Sequence, residues 1–431
     1  MPVRPLSFYG TRPHEQLSFK GFERQPAVHE QLDLPGLMKS RPLRGLLLTE
    51  EKEELLKNQV CSAATITTRG RLHGVVTEDV LRTPFERDIQ RIRSSELLER
   101  LSHKTQCFPL PIDPNVRNRY THSNENGGLS HDIARIVRLN PYLAQAGGLV
   151  HDVGHSPFGH AGEDTLDAIR RENFGLFHKH NIFGLILVDD IYRKRKTGKP
   201  DDPGEPLDLT FETRDALVCH LGEIQENKLT PYGALDCEPP KELDLASLKR
   251  GDVEKLELDR RFYPSTYEGC FVRFADRIIS VSRDPEDAVK HGIISWDDIP
   301  QICKDVFKRP DGKVDASSII KTLVWSLIAN SWDETHMTVK VIRFGDREFE
   351  AMKALYDFNY ERIYRHPRVI KEFLYFVEPI IRNLYLDYTL DREHPILPQE
   401  AIDKIAYMTD REAMAEMNRI KSSKLEIRPI I

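Results

Sequence analysis

No stretch of the 431-residue chain approaches the roughly 20 consecutive apolar residues that span a membrane. The opening residues, MPVRPLSFYGTRPHEQ, lack the apolar core of a secretory signal. Both absences point to a soluble, cytoplasmic protein with no membrane partner. Cysteine is sparse: Cys61, Cys107, Cys219, Cys237, Cys270 and Cys303 are scattered, with no CxxC spacing. That argues against a disulfide framework or a cysteine-based zinc module and suits reduced, mostly buried thiols. Positive charge is not in excess either. Lys and Arg number 62 against 68 Asp and Glu, a net charge of -6. This balance disfavours a general nucleic-acid or membrane-surface binder but leaves room for a local basic pocket. Strand-like alternation is rare, the best stretches being HGVV at 73–76 and TVKVIRF at 338–344. No internal repeat or low-complexity tract is evident.

Helical periodicity is what remains. Hydrophobic residues form 39% of the chain, enough for a large core and one to three domains. Residues 1–42, rich in proline and polar residues, read as an irregular N-terminal arm available to pack on the core or on a partner subunit. From LLLTEEKEELLKNQ onward helices dominate. In TPFERDIQRIRSSELLERLSHK, the residues Phe85, Ile89, Ile92, Leu97, Leu98 and Leu101 recur at three-to-four spacing, which predicts one amphipathic helix. KTGKPDDPGEPLD (196–208) reads as a loop, and 230–266 as a polar, proline-bearing excursion. The expected fold is mainly α, with a few short strands and one main body carrying appended segments.

Chemistry concentrates in LVHDVGHSPFGHAGE, residues 149–163. Imidazole and carboxylate donors converging on one point suit Zn, Mn, Fe, Ni or Mg-like ions. YLAQAGGLVHD predicts a helix with Leu143, Ala146, Gly147 and Val150 on its buried side, and His151 continues that face. Asp152 follows, and Gly154, Pro157 and Gly159 break the helix. Upstream, Leu129, Ile133, Ile136 and Val137 mark an apolar face shared by His122. At about 100° per residue, His131, with its own neighbouring Asp132, falls on the opposite side, so this second HD pair is a decoy. Asp276 interrupts the apolar run FVRFADRIISV, where an unpaired carboxylate is costly. Two readings of it stand: a metal ligand, or a buried partner of Arg273 or Arg277. A lone histidine on an apolar face, such as His122, is more often a hydrogen-bonded core residue than a ligand.

The order H…HD…D, with HDVGHSPFGHAGE around the second histidine, resembles the HD-domain deoxynucleoside triphosphate triphosphohydrolases, the bacterial dGTPase-like group. RTPFERDIQRIRSSELLERLSHKTQCF, RNRYTHS, FADRIISVSRDPEDAV, IYRHPRVIKEF and AIDKIAYMTDREAM extend the likeness over about residues 60–420. The resemblance implies a helical HD fold: a body at 43–431, its metal-binding core at about 115–290 and C-terminal helices at about 315–425. It implies His122, His151, Asp152 and Asp276 as ligands of one divalent ion (Mn, Mg, Fe, Ni, Co or Zn). The implied reaction hydrolyses a dNTP to deoxynucleoside and inorganic tripolyphosphate. His160 would be the general acid/base, with Glu163 setting its tautomer; a first-turn acid favoured by the helix dipole is the other reading of Glu163. His155 would sit beside the phosphates or in a supporting role. Arg119 and Arg277 would contact phosphate, although an ordinary surface arginine is the plain alternative for Arg119. Arg277 stands where many bacterial members have a second aspartate and Ser280 where they have a tyrosine. The basic residue is similar to the mammalian SAM-and-HD-domain dNTPase, which puts strict dGTP selectivity in doubt. Lys104 and Gln106 match a family block that a structural role explains equally well. His178 and His180 offer another pocket imidazole, and His220 with Glu223 reads as a structural polar pair. The family further implies a homo-oligomer regulated by an allosteric nucleotide or single-stranded DNA. The same metal site also suits a phosphomonoesterase or phosphodiesterase acting on other nucleotides, and the fold suits a non-catalytic nucleotide sensor.

Overall fold

The computed structural model describes residues 49–74, 81–108, 117–192, 205–221, 227–231, 263–390 and 395–426. The arm expected at 1–42 and most of the segments at 196–208 and 230–266 lie outside the described residues, as do Val75 and Val76. The architecture is mainly α, as the periodicity predicts. The helices are α1 (Thr49–Gln59), α2 (Pro84–Arg93), α3 (Glu96–Arg100), α4 (Arg119–Ile136), α5 (Pro141–Val150), α6 (His160–Phe174), α7 (His180–Ile186) and α8 (Phe211–Cys219). They continue with α9 (Tyr267–Lys290), α10 (Gln301–Phe307), α11 (Ala316–Ser331), α12 (Asp346–Asn359), α13 (Pro367–Glu372), α14 (Glu378–Leu390), α15 (Pro398–Tyr407) and α16 (Asp410–Glu426).

The segment 84–101 is two helices where the spacing predicts one. The Ser95 hydroxyl donates to the Ile92 carbonyl at 2.6 Å and accepts from the Leu98 amide at 3.4 Å, so it closes one turn and opens the next. The apolar face survives the break, and all six residues of that pattern are buried. TVKVIRF likewise divides. Strand β3 (Thr338–Val339) pairs with β2 (Trp332–Asp333), while β4 (Ile342–Arg343) pairs with β1 (Lys228–Leu229), both antiparallel.

Helices α4, α5 and α9 form the frame around the buried histidines. A Cβ on Gly148 of α5 would lie 2.7 Å from the backbone of Gly127 in α4, and one on Gly127 would lie 2.9 Å from Leu149. The paired glycines of ENGGLS and QAGGLV therefore let the two backbones touch. Asn140 caps α5 by accepting from the amides of Tyr142 and Leu143. Its own amide donates to buried Glu268 at the start of α9, which also accepts from Thr65. At the other end of α9 the Tyr364 hydroxyl donates to buried Asp284. One core cluster gathers α2, α3, α6, α7 and α14–α16. A second joins α4 and α9 to α10–α12, and α5 contributes to both.

Two outcomes follow from this packing. Gly148→Ala forces a methyl into backbone, an overpacking cost of about 1–3 kcal/mol against a helix-propensity gain of about 1 kcal/mol. Gly128→Ala, with no atom within 4 Å of the added Cβ, carries the gain alone. The first variant should melt lower than the parent and the second higher. The other outcome concerns pH. Burial raises the Asp284 carboxyl to about 6, opposed by the Tyr364 hydrogen bond and by the charge on His122. Its folded value thus exceeds that of an unfolded aspartate, about 3.9. Its contribution to stability is whole below about pH 4 and is lost as pH rises through about 6. Asp284→Asn, which can still accept from Tyr364, should be more stable than the parent at pH 8 by on the order of 1–3 kcal/mol. Urea unfolding should show that gap narrowing at pH 5; an unchanged gap would count against it.

Candidate metal centre

Each donor is placed by a helix end. Asn118 starts α4 by accepting from the Thr121 amide at 2.9 Å, which sets Arg119 and His122 in the first two turns. His151 follows the last residue of α5 and its Nδ1–H donates to the Gly148 carbonyl at 2.8 Å. A carbonyl only accepts, so the proton sits on Nδ1 and Nε2 is presented to the cluster. Asp152 opens the turn beyond. Gly154 continues it because a Cβ there would lie 2.0 Å from the His180 carbonyl oxygen, so only glycine admits α7 this close. Asp276 projects from the middle of α9.

His122, His151, Asp152 and Asp276 converge. His122 Nε2 lies 3.3 Å from His151 Nε2, 3.7 Å from Asp152 Oδ2 and 2.9 Å from Asp276 Oδ1. His151 Nε2 is 3.5 Å from Asp152 Oδ2 and 3.6 Å from Asp276 Oδ1. A point equidistant from His122 Nε2, His151 Nε2 and Asp152 Oδ2 in their plane lies about 2.0 Å from each, the length of a metal–ligand bond. Geometry and donor chemistry therefore fit a divalent ion. The first three residues are buried, and the Asp276 side chain, 24% exposed, marks the open side.

The electrostatics agree with that fit. Burial alone would raise Asp152, but the charges of His151, His155 and Arg119 hold its carboxyl well below the usual range. Asp276 is likewise held down against burial by its contacts with His122 and His151. Burial disfavours charge on His151, yet Asp152 and Asp276 raise it to about 9. The carboxylates draw a proton to the position where a cation would serve the same purpose.

Arg119 is almost fully buried. Its Nη1 donates to Asp152 Oδ2 at 2.9 Å, its Nε to the Thr105 carbonyl at 3.0 Å and its Nη2 to the Gln106 carbonyl at 3.3 Å. It is thus a buried partner of Asp152 and not a surface arginine. Arg277, one residue past Asp276, lies over the Tyr356 ring at 4.4 Å from its centroid. Lys104 donates to the carbonyls of His155 and Ala406, and burial, then the Arg100 charge, lowers it to about 7. His131 is partly exposed and pairs with Asp132, away from the cluster.

A second group of imidazoles adjoins the first. His155 Nε2 lies 3.2 Å from Asp152 Oδ1, and its ring stacks on His180 at 3.6 Å between centroids. Glu163 accepts from His180 Nδ1 at 2.6 Å. No hydrogen bond joins Glu163 to His160; Glu163 bonds His180 instead, and it acts on His160 only as a nearby charge that raises it against burial. The carboxylate is kept well below its usual range, against burial, by the charge and hydrogen bond of His180. His160 opens α6 with its ring edge-on to His155 at 5.1 Å. It reaches the surface, yet protein atoms crowd it; that desolvation, then the Arg119 charge, lowers it to about 4.

The reading of His220 needs correction. His220 Nε2 meets His180 Nε2 at 3.2 Å and its ring lies edge-on to His151, so it belongs to the cluster. Its proposed partner, Glu223, lies outside the described residues. A signal for His220 was present in the sequence. DALVCH ends an apolar helix in histidine as AGGLVH does, and the His220 Nδ1–H donates to the Leu217 carbonyl at 2.6 Å just as His151 does to Gly148. Of His178 and His180, only the latter enters; His178 lies 3.4 Å from the Ser156 hydroxyl.

A helical body with a His–His–Asp–Asp convergence is the signature of one structural class, and residues 119–239 match the HD domain. A deoxyguanosinetriphosphate triphosphohydrolase-like protein of Desulfatibacillum aliphaticivorans is 31% identical over 365 residues, 79% of this chain and 88% of the relative. One from Brucella ovis is 31% identical over 376 residues, covering 83% and 86%. Another from Caldanaerobacter subterraneus is 26% identical over 383 residues, covering 86% and 94%. The chain belongs to this deoxyguanosinetriphosphate triphosphohydrolase-like family. Among the described residues no helix is long and apolar enough to cross a membrane.

Arg119→Met would strip Asp152 of a buried cationic partner, a loss of about 3–5 kcal/mol. Urea unfolding in chelator should show it, and saturating Mn2+ should restore part of the loss by supplying positive charge beside the same carboxylate. A variant as stable as the parent in chelator would mean that Arg119 does not support Asp152.

Proposed function

We propose that the chain is a metal-dependent hydrolase of deoxynucleoside triphosphates, with dGTP among its substrates, releasing deoxynucleoside and inorganic tripolyphosphate. The observation that carries the reading is the convergence of His122, His151, Asp152 and Asp276 within 2.9–3.7 Å contacts in a chain of this family. His122, His151, Asp152 and Asp276 would hold a divalent ion, which would supply Lewis-acid polarisation of a phosphoryl oxygen and a bound water of lowered pKa.

The chain's own groups have the remaining roles. Arg119 holds Asp152 in its ionised form and in place, and its uncommitted N–H groups suit a phosphate oxygen. Arg277 adds a guanidinium beside Asp276 on α9. Water adds to the α-phosphorus and the bond to the 5′ oxygen breaks, so tripolyphosphate keeps the water oxygen and the nucleoside takes a proton. His160, at the accessible edge of the cluster and neutral near pH 7, is the group that moves that proton. His155 borders the phosphates, and Glu163 acts through His180. The body at 43–431, with its core at about 115–290 and C-terminal helices at about 315–425, is one catalytic unit in this reading. A cytoplasmic location, a homo-oligomer, and control by an allosteric nucleotide or single-stranded DNA complete it.

The test is incubation with each dNTP and rNTP, alone and in mixtures, with Mn2+, Mg2+ or Co2+, and ion-exchange separation of products. Tripolyphosphate is expected, and His151→Ala should lose at least about 100-fold in kcat, the scale of a lost catalytic group. Orthophosphate or pyrophosphate as the product would reject this chemistry in favour of a monoesterase or diesterase. Full turnover in His151→Ala would reject the metal site.

A further inference from the structure

The bend that carries the chain from Asp152 to His160 is gripped at its two ends by opposite charges. Lys104 Nζ donates to the His155 carbonyl, and at 3.1 Å to the Ala406 carbonyl in the last turn of α15. Further along the bend, the Phe158 amide donates to Asp410 Oδ1 at 2.7 Å, while Asp410 Oδ2 accepts from the amide and hydroxyl of Thr105. Lys104 and Asp410 are both buried. Among the described residues neither forms an ion pair, with the other or with a third group. Burial opposes charge on both, and each is among the groups that favour the other's ionised form. An ammonium and a carboxylate buried out of contact are costly. What lies between them accounts for the arrangement: the cation takes a carbonyl at one end of the bend and the anion an amide at the other.

The bend needs holding. Phe158 has φ 62°, a left-handed conformation unfavourable for a residue with a side chain, and Gly159 repeats it. Gly159 abuts the two residues that follow Lys104: a Cβ there would lie 3.3 Å from the carbonyl oxygens of both Thr105 and Gln106. The first turn of α6 sits directly on the bend, because a Cβ on Gly162 would lie 1.9 Å from the Pro157 carbonyl oxygen. His160 is the first residue of that helix. Its ring meets His155 edge-on, and among the described residues no hydrogen bond holds it. The place of the imidazole is therefore set by the backbone beneath it.

We propose that Lys104 and Asp410 are positioning residues for His160: a divided ion pair that clamps the 155–158 bend and fixes where the leaving 5′ oxygen receives its proton. The inference rests on the role given to His160 above and adds two residues outside the four metal donors.

The test compares dGTP with its 5′-thio analogue, in which sulfur replaces the bridging 5′ oxygen. When the phosphorus–sulfur bond breaks, the thiolate leaves without a proton, so this substrate does not need His160. In the full chain with Mn2+, Lys104→Met should lower kcat on dGTP by about 10–100-fold. KM, Mn2+ affinity and kcat on the thio analogue should stay as in the parent. Asp410→Asn should show the same selective loss, and it carries the test if Lys104→Met does not fold. A general loss of stability lowers the active fraction and scales both substrates alike. Equal losses on the two substrates therefore overturn the clamp, as does parent-like turnover of dGTP in both variants. His160→Gln is the control. A selective loss there, without one in the clamp variants, overturns the clamp and keeps the role of His160. No selective loss in His160→Gln overturns both.

Discussion

A fully buried, ionised Asp152 is the constraint on which the rest of the structure depends. A carboxylate taken from water without partners is so unfavourable that it would simply take up a proton. His151, His155 and Arg119 together prevent that, and Arg119 is itself buried and must be held. It is anchored by the carbonyls of Thr105 and Gln106. That segment is tied in turn to Asp410 at the start of α16, which accepts from the Thr105 amide and, through its other oxygen, from the Phe158 amide. Phe158 has a left-handed backbone, φ 62°, inside the histidine-rich turn. The C-terminal helices therefore support the turn and the arginine at once, although they contribute no donor to the cluster. Changes at Asp410 belong to the chemistry of Asp152 by this route, through three hydrogen-bonded steps.

The helical architecture was legible because its periodicity is strong; the residue patterns alone left His122 and Asp276 open between metal and core roles, and it was the family resemblance that joined them to His151 and Asp152. His122 and His131 were separable because a rotation of about 180° along one helix is determined by residue count alone. What could not be read was pairing across elements. Nothing in HAGE says whether Glu163 meets His160 on its own helix or His180 from α7. The choice is made by the contact of α7 with Gly154, where a backbone-to-backbone approach replaces any side chain. His220 shows the same limit: its spacing to Glu223 pointed only to a local pair, and nothing local points to His180 and His151, 40 and 69 residues away, which it meets. The single helix expected over 84–101 failed for a smaller reason: a serine that bonds in both directions outcompetes continued helix.

His151 and His220, each directly after a helix, use the helix end itself as a tool. The last turn leaves carbonyls without amide partners. His151 and His220 each give a Nδ1 proton to such a carbonyl three residues back, which satisfies the helix and commits Nε2 to metal or proton acceptance. The ligand geometry thus comes from secondary structure and not from a separate supporting side chain. It also explains the need for small residues before His151. Gly147 lets α5 lie against the side chains of Ala216 in α8 and Val272 in α9, and Gly148 lets it lie against the backbone of Gly127 in α4, so the helix end arrives where His122 and Asp276 already project. Had a larger residue stood at either position, the tautomer of His151 would be unchanged but the donors would no longer meet. Tautomer is set locally and convergence by packing, and only the two together turn a histidine-rich turn into a metal centre.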